Sequence, residues 1–280
     1  MIRKIIQAII AFGLLGCGFF FSGADLRPEF IGAGIVGLLG LIALIIESAI
    51  VNRKHLWLAI YCSWLGFRGV RIRFSMSYLY RIKVDDKYLL VKNNNFSHYQ
   101  LVGGKYKILE NTRSFLQKEF DAMDDPKLPN KGLMKDDFAL FIPASRAIRF
   151  LKWFNSGQDR EISHWREFYE ELIEGKAQVL SKEKFPYVNY NFCGRVRTPV
   201  RRTPGWDCYE ILQYDILDVL PTPEQRQEFK RLLEKGDTEY YKWADRHLIE
   251  CLGHDNRTLS KAYDIGIHTK WALNMKWSKE

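Results

Sequence analysis

The chain has 280 residues, enough for one sizeable domain or two small ones, and its 42 Lys+Arg against 33 Asp+Glu give a formal charge of +9. That excess suits anionic partners: a membrane surface, nucleic acid, or nucleotide phosphates. Five scattered cysteines with no C-x-x-C pair argue against a disulfide framework and place the soluble part in a reducing compartment, and no internal repeat or low-complexity segment is present.

Ile5 to Ser22 is almost wholly apolar, and after the short polar turn GADLRPE a second apolar run extends from Phe30 to Ile46 and on past Glu47 to Val51. Each run approaches the ~20 residues that cross a bilayer core. A cleaved signal peptide is the competing reading of the first run, and the second run so soon after it argues against that. Residues 1–52 therefore read as a transmembrane helical hairpin with spans at about 5–22 and 30–51. Arg3 and Lys4 precede it and Arg53, Lys54, Arg68, Arg71 and Arg73 follow it, so both termini are expected in the cytoplasm. Gly32, Gly34, Gly37 and Gly40 allow close helix packing, either inside the hairpin or between protomers. His55 to Phe67 is too short to span. With Trp57, Trp64 and the flanking basic residues it reads as an interfacial basic-aromatic connector, 53–70, with a buried helix of the soluble domain as the alternative.

From Arg71 to the end, 71–280, the pattern is that of a mixed α/β domain. SYLYRIKVDDKYLLVKN gives two strands around a turn at Asp85-Asp86, and HYQLVGGKYKI gives a strand broken at Gly103-Gly104. DDFALFIP is a strand stopped by Pro143, and ASRAIRFLKWFNSG is a helix stopped by Gly157. SHWREFYEELIEGK, Ser163 to Lys176, is a helix with Glu167, Glu170, Glu171 and Glu174 on one face. YVNYNFCGRVRTPV and CYEILQYDILDVL are expected strands, and PTPEQRQEFKRLLEKG and DTEYYKWADRHLIECLG expected helices.

REFYEEL, Arg166 to Leu172, resembles the core of the Nudix box, Arg-Glu-apolar-x-Glu-Glu, and Gly103-Gly104 resembles the glycine pair that ends the strand before it. In an unbroken register from Gly104, Glu110 and Lys118-Glu119-Phe120 follow but Ala122-Met123 replace the glutamate pair. In the register that keeps 166–171 whole, more than fifty residues intervene and Lys105 to Arg160 would be an insertion in the box. No upstream glutamate has the box's spacing, Glu161 being too near, and Leu172-Ile173 replace the trailing x-Gly. Two amino-terminal apolar runs, GFRGVRIRFSMSYLYRI (Gly66 to Ile82), the interrupted box and IGIHTKWAL (Ile265 to Leu273) together are similar to the SMODS-associated NUDIX family. The resemblance covers essentially the whole chain.

It implies a membrane effector of the antiphage systems called CBASS, in the bacterial cell inner membrane. A Nudix-like domain would bind a cyclic nucleotide made by a CD-NTase, the transmembrane helices would disrupt the lipid bilayer, and the protein would act as a homo-oligomer with no nucleic acid polymer as partner. A nucleotide pocket needs cations, backbone donors and a stacking surface; the candidates are Gly103, Gly104, Tyr106, Arg146, Arg149, Trp153 and Arg160. Trp153, at helical spacing with Ile148 and Leu151, equally fits a core position. Arg195, Arg197, Arg201 and Arg202 fit either phosphates or anionic lipid. The alternative function is a membrane-tethered hydrolase in which Glu167, Glu170 and Glu171 hold Mg²⁺ or Mn²⁺ and Glu167 serves catalysis. The six histidines show no metal-binding spacing.

Overall fold

The structure is a computed structural model that describes residues 10–21, 23, 25–51, 53–93, 97–127, 136–158, 161, 163–175, 178–203, 206–255 and 259–278. The chain divides into two compact units, Met1–Tyr61 and Cys62–Glu280.

In the first unit, residues 10–21 are helical (α1), ending in a π-helical turn at Cys17–Phe21, and α2 runs Arg27–Val51. Residues 5–9 and 22 of the expected first span lie outside the described residues. The two helices meet through glycines. A Cβ added to Gly34 would fall 2.6 Å from the Leu15 side chain, and one added to Gly37 would fall 3.0 Å from the Ala11 methyl. Gly32 and Gly40 face open space. The glycine row is thus shared: two positions pack inside the hairpin and two do not. Counting only the described residues, no helix is long and apolar enough to cross a membrane. α2 itself spans 25 residues, and the side chains at 44, 45, 48, 49 and 51 lie outside that count.

α3, Arg53–Phe67, contains the boundary between the units. Its last turns belong to the second unit: Cys62 and Leu65 are buried, and Gly66 lies against the Ser145 backbone, 2.7 Å from where a Cβ would sit. These positions are buried within the second unit. Trp64 stays exposed beneath the Arg68 guanidinium, 4.8 Å from its ring centre.

The second unit is built on β1, Arg71–Arg81, nearly every residue of which is buried. A strand buried on both faces is apolar or paired throughout rather than alternating. One edge of β1 is divided between two antiparallel partners, β6 (Ala139–Pro143) along Arg71–Ser75 and β4 (Tyr99–Lys105) along Ser77–Tyr80. β2 (Lys83–Val84) and β3 (Lys87–Lys92) turn through Asp85 in the left-handed region and continue outward from β4. On its other edge β1 pairs in parallel with the long β9 (Trp206–Leu220), which in turn pairs with β7 (Asn189–Arg197) and β8 (Arg201–Thr203). One sheet face packs on α5 (Ala147–Ser156) and α6 (Trp165–Leu172), through Phe74 against Phe150 and Tyr80 against Phe168. The opposite face, with Leu79, Val196 and Ile216, packs on Trp271 and Leu273 of α9 (Ile267–Asn274). α4 (Glu110–Phe120) and β5 (Met123–Asp124) precede β6, and α7 (Pro223–Lys235) starts from a full capping box at Thr222 and Gln225.

One expectation is corrected. DTEYYKWADRHLIECLG is not one helix. Tyr241–Asp245 forms β10 beside β3, and Arg246–Glu250 forms the short helix α8, capped by Asp245 accepting the Leu248 N–H. The aromatic Tyr241 and Trp243 gain more from the sheet edge than from a helix, so tertiary pairing overrides the local pattern. The long insertion joins the same sheet, because its strand β6 supplies a neighbour to β1. The remaining short strands β11 (His254–Asp255) and β12 (Ser260–Lys261) pair only with each other among the described residues.

Candidate functional site

The two halves of the interrupted motif meet in space. Gly103 sits in β4 at φ +142°, and a Cβ there would collide with the Tyr78 carbonyl of β1. Only glycine accepts both conditions. Its N–H donates to Oε2 of Glu171 at 2.8 Å. A Cβ on Gly104 would run into the Glu167 carboxylate. The glycines thus let the backbone of β4 come within hydrogen-bond reach of α6, and the first and third glutamates of the helix use that approach.

Arg166 ties the assembly together. Its Nη1 donates to Glu167 at 2.7 Å and to Glu170 at 3.2 Å, its Nη2 to the Lys105 carbonyl at 2.7 Å, and its Nε faces Glu161 at 3.3 Å. Glu161 also accepts the Lys107 N–H at 2.5 Å. Tyr78 meets the N-terminal turn of α6, its hydroxyl accepting the Glu167 N–H at 3.4 Å and its ring lying edge-on to His164. Burial lifts Glu171 well above the usual carboxylate range, with the charge of Glu167 adding to the rise and the Gly103 N–H opposing it. Burial also raises Glu167, against the pull of Arg166. Burial disfavours the Arg166 charge, but the surrounding carboxylates outweigh that and hold it protonated.

Three carboxylates so close are the chemistry a hard divalent cation takes. Their arrangement does not fit one as it stands. The Arg166 guanidinium engages Glu167 and Glu170, Gly103 engages Glu171, and among the described residues no group of three or more His, Cys, Asp or Glu is placed to hold a metal ion. In this structure Glu167, Glu170 and Glu171 form a carboxylate cluster organised by an arginine.

The other candidates divide. Tyr106 is fully buried, its hydroxyl donating to Asp215 at 2.8 Å and meeting His164 Nε2 at 2.8 Å, so it is no stacking platform. Arg146 and Arg149 donate to the Glu119 carbonyl at the end of α4, and Arg149 lies over the Phe120 ring. Trp153 packs among Phe115, Phe120, Phe138 and Phe150, the core position its spacing allowed. The contacts of these three are thus with the α4–α5 pair rather than with the glycines. Arg160 lies outside the described residues. Sequence reasoning missed Glu161, set aside for its spacing, and also Tyr78 and His164. Glu161 could have been found by dropping the requirement of unbroken spacing; Tyr78, one tyrosine in a strand rich in them, gave no signal.

A family model described as the SMODS-associated NUDIX domain matches residues 71–273, from the first residue of β1 almost to the end of α9. Comparison with curated proteins gave no match.

Proposed function

The chain belongs to the SMODS-associated NUDIX family, and from that premise we propose that it is a membrane effector of a CBASS antiphage system. Its Nudix-like domain binds a cyclic nucleotide made by a CD-NTase. Its amino-terminal helices lie in the bacterial inner membrane, with both chain ends in the cytoplasm, and disrupt that membrane when the nucleotide is bound. The supporting observation is the exterior of the first unit: Ile35, Val36, Leu39, Ile42, Ile46 and Ile50 of α2 are all exposed, Val36 by 69%. A helix apolar all round needs either a protein interior or lipid around it. Open space at Gly32 and Gly40 leaves room for a helix from another copy, in keeping with a homo-oligomer.

Physically the step is a population shift: the nucleotide must bind the disruptive arrangement better than the resting one. The alternative, a hydrolase using Mg²⁺ or Mn²⁺, requires Arg166 to release Glu167 and Glu170, and no observation favours that release. The test is dye release from liposomes carrying the full chain, challenged with a panel of cyclic di- and trinucleotides. Release that depends on one of them is expected. Release by none, or equal release without nucleotide, counts against the reading.

A further inference from the structure

We propose that the outer strand β7 carries a binding strip for a phosphodiester-linked nucleotide, with Tyr190 and Phe192 stacking bases and Arg195 and Arg197 holding phosphates. It rests on the nucleotide reading above and gives that ligand a place and a minimum size.

The strip exists because of a bulge. In a regular strand, residues two apart share a face, so Tyr190 and Phe192 would be followed by Gly194 and Val196. The register of β7 on β9 shifts between Phe192 and Gly194. Tyr190, Phe192, Arg195 and Arg197 consequently stand opposite Val219, Leu217, Asp215 and Gln213, which alternate on one face of β9. Val196 confirms the phase, being buried in the core of the opposite face. One extra residue has moved two guanidiniums onto the side of two rings.

The groups are available. Tyr190 is 37% and Phe192 49% exposed. Of the four arginines in this segment, Arg201 is answered by Glu210 at 3.1 Å and Arg202 lies over Tyr209. Arg195 uses its Nε on Asp215 at 2.8 Å and holds its guanidinium over one face of the Phe192 ring, 5.2 Å from its centre, which leaves the other face for stacking. Arg197 pairs with no carboxylate among the described residues. Burial lowers its pKa, and the neighbour that acts on its charge is Cys62, whose thiol burial pushes up to about 11 and so keeps neutral. A half-buried guanidinium without an acid is a strong site for a phosphate, which it can bind through charge-assisted hydrogen bonds.

Tyr190 adds a directional contact. Tyr106 donates its proton to Asp215, so its oxygen accepts from Nε2–H of His164. In the tautomer protonated at Nε2, Nδ1 of His164 accepts the Tyr190 O–H at 2.9 Å. The Tyr190 oxygen is left to present lone pairs to a ligand N–H or O–H. From Tyr190 to Arg197 the strand rises about 3.3 Å per residue, roughly 20 Å in all, more than one nucleotide needs.

Lipid phosphate offers the same anion without the bases, so the experiment has arms for both. The full chain in detergent micelles is titrated calorimetrically with linear diadenylate, AMP, and short-chain phosphatidylglycerol. Diadenylate is expected to bind more tightly than AMP. Phe192→Ala and Arg197→Gln should each weaken it about tenfold or more while leaving the thermal midpoint near that of the parent. Arg197→Gln should also reduce the slope of log K against log salt by about 0.7. Diadenylate binding within twofold of the parent in both variants overturns the strip and leaves the nucleotide reading standing. So does phosphatidylglycerol binding that alone is lost on Arg197→Gln. No binding of diadenylate or AMP also overturns it, and dye release with cyclic nucleotides then judges the wider reading separately.

Discussion

Replacing Arg166 by methionine keeps the apolar stem and removes the charge around which α6 is assembled. Four contacts are lost: Glu167 at 2.7 Å, Glu170 at 3.2 Å, Glu161 at 3.3 Å and the Lys105 carbonyl at 2.7 Å. They do not count equally. The Glu170 side chain is 30% exposed and its pair is worth at most about 1 kcal/mol after screening. Glu167 and Glu161 are largely enclosed, and stripping the partner from an enclosed carboxylate costs about 3–5 kcal/mol. A loss near 4 kcal/mol is therefore expected for Arg166→Met, or about 8–16 °C in the melting midpoint for a domain of this size. The assay is thermal and urea unfolding of the full chain in detergent between pH 4 and pH 8. Because the cost comes from stranded charge, it should shrink as falling pH protonates Glu167, and adding Glu167→Gln to Arg166→Met should restore part of it. A loss under about 1 kcal/mol at neutral pH, or one that stays constant across the pH range, refutes the account.

Gly103→Ala should destabilise more than Gly104→Ala, because its Cβ strikes the fixed Tyr78 carbonyl at a positive φ whereas that of Gly104 strikes a side-chain carboxylate able to turn away; melting midpoints give the order. Glu171→Gln keeps an acceptor for the Gly103 N–H and removes a buried charge. Since the folded-state pKa of Glu171 is raised, the unfolded chain ionises first and the parent loses stability as pH climbs from the ordinary carboxylate range toward that raised value. The variant should therefore gain on the parent as pH rises, and a difference independent of pH counts against the burial of that charge. Gly34→Val should disturb the hairpin, with Leu15 in the way, while Gly40→Val should leave the monomer's hairpin intact; crosslinking between cysteines placed on α1 and α2 distinguishes the two.

Much of the fold was legible because it rests on local signals. Thr222 with Gln225 announced α7, Gly157 ended α5 in the left-handed region, and Asp85 turned the chain between β2 and β3. What failed was non-local. YYKWAD has enough helical spacing to mislead, and only the presence of β3 beside it makes it a strand. The bulge after Phe192 has no sequence signature beyond a cysteine and a glycine, yet it decides which side of the sheet Arg195 and Arg197 occupy. For the site, the residues of the core motif were readable and their partners were not. Arg146, Arg149 and Trp153 had the right chemistry for a nucleotide, but the aromatic core between α4 and α5 claimed them.

The interrupted box shows how a motif survives the loss of its spacing. A Nudix-type helix needs its glycine strand within hydrogen-bond reach, and a stretch of more than fifty residues would ordinarily leave that contact to chance, since closing a longer loop costs entropy. Here the excursion leaves and returns at one point. Lys107, two residues beyond the end of β4, donates its N–H to Glu161, and Arg166 joins that same glutamate to the Lys105 carbonyl. Between these ends the inserted chain is held by its own pairing, Phe138 to the Tyr106 carbonyl and β6 to β1. The effective loop is therefore short even though the sequence separation is long. Glu161 is the residue that makes it so, and its position five residues before Arg166 is set by that closure rather than by the spacing of an unbroken box.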